Sequence, residues 1–570
     1  METDREQFRI LVRHFFGRFL DNDLISPASD LHGTLSKVAA VFVIPVVLFY
    51  PFRLLLTYGR PFWDYAVLDL RSWPDKSIFV MLSLVVMGLL TVIEWDALQL
   101  DRRDCTALGS LPIRSRTILG AKLAALGKFL LVFSIPLTAI GCVTFPLIMH
   151  AGWSLSVLVV VRTVAAHATA TLAAAAFAFF SLLALHGLIQ VVCGQRALRR
   201  ASALIQSVLM LGLVVVLLTL PFIASQTAAL KRGAAGAGGL APQMWFMGIY
   251  ETMSGQGDAD WRLLASRGYA ALTSVSIAAI LLSIVAYRRV LGTTLEVVQA
   301  GRRQGSWSSG LLKAVTLAVS RHPVERGFFS FSVLTLLRSP WHRVLLAAAL
   351  GGAMALAIVT LDVATIARDG VRRMPMLASH GLAMQWVVLV IVLAGVRAAA
   401  AVPAELQASW TLQMLDSGQP YRWIVGFRKA VFAAAIVPAV MLMAAVGWWQ
   451  FGWHVAWTHA LAAFTFATLA FEVLFFGFGR VPFACAFEGA GGVTNIRWYV
   501  LAALFTTSVV NLAKVVVLAM RSTPGTTLMA AFSLLAIVAL RLASRRDLTS
   551  AASLAFEQQA ETTQALGLGA

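Results

Sequence analysis

The stretch from Glu94 to Lys122, EWDALQLDRRDCTALGSLPIRSRTILGAK, decides how the rest of this chain is read. It leaves one long apolar run, mixes acids with bases, and enters the next apolar run at Lys122. Proline disfavours helix in the residue before it, so Leu111-Pro112 reads as a break between two short helices. A second stretch of the same make runs from Glu405 to Lys429, ELQASWTLQMLDSGQPYRWIVGFRK, with Pro420 as its break. Each lies between apolar runs and reads as a surface that presses on a soluble partner.

The apolar runs set the class. Of 570 residues, 59% are hydrophobic and 13% charged, against roughly 45–50% and about 25% in a soluble chain. That surplus implies a membrane protein. The net charge of +19 would invite a nucleic-acid reading. Here, however, Arg and Lys sit between the apolar runs, where they hold loops in the cytoplasm. Cys105, Cys142, Cys193 and Cys485 are scattered without a CxxC pair, so neither a disulfide framework nor a zinc site is expected. Arg5, Arg9, Arg13 and Arg18 interrupt any apolar core near the N-terminus, so no secretory signal is read there. Phe8, Leu11, Val12, Phe15 and Phe19 instead fall at helical spacing. Residues 5–20 thus read as an amphipathic helix in the headgroup layer, or as one packed on the protein's own loops.

The expected fold is an all-α polytopic membrane protein of about twelve transmembrane helices in two parallel six-helix halves. The expected spans are 35–56, 77–95, 124–148, 163–187, 202–223, 269–287, 343–361, 382–402, 429–449, 456–477, 498–519 and 526–543, each able to cross ~30 Å of hydrocarbon. Loop charge puts both termini in the cytoplasm. The implied organisation is an interfacial helix at 1–33, a six-span half at 34–287, a cytoplasmic linker with a second interfacial helix at 288–342, a second half at 343–543 and a tail at 544–570. In the linker, RGFFSFSVLTLLRSPWHR from Arg326 precedes its span as residues 9–32 precede the first, with Phe328-Phe329 matching Phe15-Phe16. Equal span numbers make this a parallel repeat. The largest exterior insert, 224–268, contains GAAGAGG, read as flexible, and WFMGIYE (245–251), read as lying at the outer interface. Its counterpart at 520–525 is much shorter, so the exterior face is expected to be asymmetric.

No phosphate-binding G-x-x-x-x-G-K-[ST] occurs; the lone Gly127-Lys128 is followed by Phe129. Neither GxSxG nor HExxH is present. If ATP powers this protein, another polypeptide binds it. The first loop offers Glu94, Asp96, Asp101, Arg102, Arg103, Asp104, Arg114 and Arg116 as docking charges, with Leu98, Leu108, Leu111 and Ile113 as apolar knobs around Pro112. Glu405, Pro420 and Arg422 are their counterparts in the second loop.

The 94–122 stretch resembles the loop between the second and third spans in permease subunits of type-2 ATP-binding-cassette transporters, and residues 5–20 resemble the basic amphipathic helix that leads into them. The resemblance is clearest over 1–150 and weaker over 326–440. It implies an exporter subunit of a cell (inner or plasma) membrane, with no nucleotide site of its own. Its partners would be separate ATPase subunits, two copies, carrying ATP and Mg and docked under residues 94–122 and 403–429. Their closure would move the loops and tilt the spans. Such permeases usually have six spans per chain, and this chain departs from them by holding both halves. The apolar, aromatic walls suit a lipid-like or amphiphilic cargo.

Charges within spans are functional candidates. Arg397 and Glu472 lie near the inner ends of two spans and form either a gate-closing ion pair or a pair in which Arg397 snorkels to the headgroups. His167 and His186 nearly share a helix face, as a proton path or within small-residue packing. Two other functions remain open: an ion-coupled secondary transporter of twelve spans, and a membrane enzyme acting on lipid-linked substrates through acids of the insert such as Glu251, Asp258 and Asp260.

Overall fold

The computed structural model describes residues 2–19, 65–98, 108, 111, 113–150, 157–294, 307–366, 374–404, 420–451, 453–475, 481–484 and 522–550. Among the described residues there are helices and turns and no strand. The expected spans 35–56 and 498–519 lie outside them. The chain forms two compact units, Met1–Gly301 and Arg302–Ala570.

The first unit contains α1 (Glu2–Gly17), α2 (Tyr65–Ile93), α3 (Ser115–His150), α4 (Val157–Leu218), α5 (Leu220–Ser225), α6 (Thr227–Arg232), α7 (Pro242–Ser254) and α8 (Ala259–Thr294). Buried hydroxyls on these apolar helices bond back to the carbonyl four residues earlier: Ser83 to Phe79, Thr91 to Met87 and Thr171 to His167. Without water nearby, their own helix is the available acceptor.

The sequence separates 163–187 from 202–223 by a loop; in the structure 163–187 and 202–218 both lie on α4, and 220–223 fall on α5. The chain nonetheless doubles back. His167 packs on Phe79 and His186 on Trp95, so α4 first runs alongside α2 in the same direction. Then Gln206 donates to the Val92 carbonyl at 2.9 Å, and Leu213 fills the space beside Gly88. The contacts have reversed. A straight helix from His186 to Leu213 would span about 40 Å, several times the rise from Gly88 to Trp95. A sharp bend between Val191 and Gln206 therefore makes α4 two antiparallel arms.

The second unit contains α9 (Trp307–Val319), α10 (Pro323–Arg338), α11 (Pro340–Ile366), α12 (Met374–Ala400), α13 (Pro420–Val431), a π turn (Phe432–Ile436), α14 (Val437–Phe451), α15 (Trp453–Leu474) and α16 (Thr523–Ser550). α13, the π turn and α14 form one continuous rod. Proline clashes with the carbonyl four residues back; for Pro438 that carbonyl belongs to Ala434, inside the widened turn. That rod and α15 make an antiparallel hairpin in which Trp448 meets Trp453 near the turn and Phe427 meets Phe475 at the other end.

Five helical segments are long and apolar enough to cross a membrane: Arg71–Ile93, Ser115–Met149, Val157–Cys193, Ala259–Arg289 and Tyr421–Ala445. Their outward faces are apolar too. Ile277, Ile280, Leu281 and Val285 form an exposed stripe along α8, and Leu528, Phe532, Leu535 and Val538 do the same on α16. Such surface is stable against lipid and not against water. This is a helical membrane protein.

The insert differs from its reading in sequence. The glycine-rich 233–239 turn is tied down: Arg267 donates to the Ala234 and Gly239 carbonyls, and Trp245 also donates to Gly239. WFMGIYE lies on α7, with Phe246, Met247, Ile249 and Tyr250 buried against α2, α4 and α8 rather than at a lipid interface. Gly248 makes this possible, because a Cβ there would stand 2.5 Å from the Ala265 nitrogen of α8.

Candidate functional site

In the first unit α1 lies on the opening turns of α3. Leu11, Phe15, Phe16 and Phe19 are buried against Ile118, Ala121, Ala125 and Phe129. That face is apolar at helical spacing, while Arg5, Arg9 and Arg13 stay exposed. Lys122 joins the parts: its buried ammonium donates to the Ala97 carbonyl at 2.5 Å and stands 5.2 and 4.8 Å from the Phe15 and Phe19 ring centres. Lys128 covers Phe16 at 4.1 Å. A buried ammonium needs such acceptors, so helix, loop and span are locked together as an elbow.

Much of the predicted docking surface faces inward. Glu94 is buried, Trp95 packs edge-on to His186 at 4.8 Å, and Leu98 is fully enclosed. Leu108 and Ile113 pack on the same core. The acid and the apolar knobs nearest the spans are needed to hold the loop in place. Leu111 (49% exposed), Arg114 and Arg116 remain outside. Arg114 meets Asp4 at 3.8 Å, both well exposed. Asp96 falls in the short turn Trp95–Ala97. Asp101, Arg102, Arg103, Asp104, Pro112 and Glu405 lie outside the described residues.

The second unit has an elbow of the same plan and different chemistry. α10 lies on α13, with Phe328 on Trp423 at 5.3 Å. Glu325 sits between Lys429 at 2.6 Å and Arg422 at 3.5 Å. Gly426 permits the close crossing; a Cβ there would be 2.7 Å from the Glu325 carbonyl oxygen. Pro420 opens α13 as its first residue, a position that does not need its missing N–H. Phe483 is the hub, in the left-handed region at φ 65°. Its N–H donates to Ala400, its carbonyl accepts from Ala404, and its ring meets Phe331, His342 and Phe427. A side chain rarely adopts that conformation unless its surroundings over-determine it.

The expected Arg397–Glu472 pair is not formed. The fully buried Glu472 carboxylate accepts from Arg428 Nη2 at 2.7 Å and from Arg541 Nε at 2.9 Å. Arg397 instead lies over the Phe475 ring, 5.5 Å from its centre. The hairpin explains the choice: Arg428 and Glu472 are equally far in sequence from Gln450 at its tip, whereas Arg397 is on α12, which runs parallel to α15. A register count across that short turn would have found the partner.

A second buried pair escaped the sequence reading. Lys76 Nζ and Glu251 Oε1 meet at 2.8 Å, 1% and 0% exposed, at the end of the first unit away from its elbow. Lys76 also lies over Tyr250 at 5.1 Å. Asp258 binds Lys231, and its Oδ1 caps α8 by accepting from Trp261 N–H at 2.9 Å. Glu251 thus ties the insert to α2, and Asp258 ties the two ends of the insert to each other. His167 is enclosed by Phe79, Phe145 and Tyr250, far along α4 from His186; the two are packing residues of separate clusters. No group of side chains suited to holding a metal occurs among the described residues. No family model, curated protein or solved structure matches the chain.

Proposed function

We propose that this chain is the membrane-spanning permease subunit of an ATP-binding-cassette exporter, with two fused six-span halves and separate ATPase subunits that bind ATP and Mg. The observation that carries the reading is the pair of elbows. In each, a short helix is sealed onto the helix that follows the loop, by Lys122 and its aromatic partners in one and by Glu325, Trp423 and Phe483 in the other. A push on such a joint moves the span with it, because close-packed interiors transmit strain. Leu111, Arg114, Arg116 and Arg422 are the described residues from which an ATPase takes its grip. On this reading the elbows face the cytoplasm, the chain transforms no substrate itself, and an amphiphilic cargo crosses the tilted helices.

The test is purification in mild detergent. An ATPase subunit should be retained by the wild type and lost from a Leu111→Asp, Arg114→Glu, Arg116→Glu variant that keeps its thermal stability. A chain that transports on an ion gradient with no ATPase would sink the proposal.

A further inference from the structure

Among the described residues, the Glu472 cluster does not balance its charge. One carboxylate faces two guanidinium groups, all at the elbow end of the second unit. Arg541 spends only its Nε on Glu472 and is 51% exposed; its two Nη groups have no other protein acceptor among the described residues. Arg428 spends only one Nη. A guanidinium carries five N–H donors in a fork that matches phosphate oxygens.

The surface leading to Arg541 has matching chemistry. Leu534, Val538 and Arg541 are spaced i, i+4, i+7 on α16, so they share one stripe, and both apolar members are exposed. A headgroup at Arg541 would lay an acyl chain along Val538 and Leu534. The depth also fits. Arg428 and Trp448 are twenty residues apart on one rod, about 30 Å, the thickness of the hydrocarbon core. Trp448, Trp453 and Trp457 are exposed at the hairpin's other end, where an aromatic belt meets the opposite interface. The cluster therefore stands at headgroup level.

We propose that Arg541 and Arg428, through the donors that Glu472 leaves unused, bind the phosphate of an anionic phospholipid in the leaflet on the elbow side. Basic residues between helices at this level attract anionic lipid. The site depends on the chain's being in a membrane and not on any ATPase.

Native mass spectrometry of the full chain, released from phosphatidylcholine nanodiscs doped with phosphatidylglycerol, reads the effect. Arg541→Gln should lower retained phosphatidylglycerol about fivefold relative to phosphatidylcholine. Arg541→Lys should keep most of it, and Arg262→Gln, exposed on α8, should change nothing. Glu472→Gln removes the competing anion and should hold the lipid as well as or better than the wild type. Unchanged retention in Arg541→Gln overturns the site. So does equal loss in Arg541→Gln and Glu472→Gln, which would mean damaged packing. Displacement of the lipid by millimolar inorganic phosphate would hand the site to a soluble anion and overturn the lipid assignment.

Discussion

Among the described residues, each unit places its buried ion pairs differently relative to its own elbow. The first buries Lys76 against Glu251 away from its elbow, between α2 and α7, and at its elbow sets the Lys122 ammonium against a carbonyl and aromatic faces. The second gathers its charge beside its elbow, where Glu472 meets Arg428 and Arg541 and Glu325 meets Lys429 and Arg422. Its far end presents exposed tryptophans instead. One plan, a short helix on the helix after the loop, has therefore been stabilised in two ways. A dry, buried pair makes a fixed point. The half-exposed Arg541 leaves donors for something else.

The sharpest way to break this contrast is to empty the fixed point. Lys76→Ala or Glu251→Ala leaves one charge buried without its partner and should cost about 3–5 kcal/mol, seen as a large fall in unfolding temperature in detergent. Lys76→Met with Glu251→Leu should recover most of that loss, since an apolar pair of similar volume fits a dry site. If either single variant is as stable as the wild type, the pair does not anchor the cap. Next in size is Gly426→Ala, which should cost about 1–3 kcal/mol by forcing α10 away from α13. It should cut ATPase retention as well, because it opens the elbow itself.

Phe483 tests whether the second elbow stores strain. Both Phe483→Ala and Phe483→Gly lose the ring contacts, but only glycine is at ease at φ 65°. The glycine variant should therefore be the more stable of the two by about 1 kcal/mol. Equal unfolding temperatures would mean that the backbone relaxes elsewhere.

What could be read in advance follows from where the information lies. Apolar runs are local, so the helices of α2, α3, α8 and α13–α14 are legible, as is the apolar face of α1; that this face and Phe328-Phe329 meet neighbouring helices rather than lipid is not. The partner of Glu472 needed a hairpin register, which is one step less local. Lys76 and Glu251 are 175 residues apart, and nothing near either one announces the other. The insert was misread because Gly and aromatic residues suggest flexibility and interface. Arg267 and the crossing at Gly248 instead make that segment part of the core. The docking loop was half legible: its charges are visible in sequence, but not that Glu94, Trp95 and Leu98 serve the fold.

A smaller effect comes from acid. Partial burial pushes Asp258 up, but the Lys231 ammonium and the Trp261 N–H more than reverse this, so its carboxyl lies below the usual range. A lowered folded value contributes stability above the unfolded pKa of about 3.9, and that contribution fades as pH falls through the folded value. Asp258→Asn should therefore destabilise slightly at neutral pH and be indistinguishable from wild type in strong acid. A difference that grows on acidification would reverse the sign and remove the clip.

The smallest expected change in stability bears most directly on function. Asp4 and Arg114 are both well exposed at 3.8 Å, a geometry worth roughly 0–1 kcal/mol and screened by salt. Asp4→Asn and Arg114→Ala should thus leave the unfolding temperature where it is. Their effects on a partner should differ, because Arg114 stands beside exposed Leu111 on the outer rim of the elbow while Asp4 only shields it. Arg114→Ala should weaken ATPase retention, and Asp4→Asn should leave it equal or stronger by freeing the guanidinium. Loss in both would implicate the ion pair itself and make α1 part of the docked surface. Loss in neither would reduce the rim to ordinary solvated charge, and the elbows would then be joints on which nothing pulls.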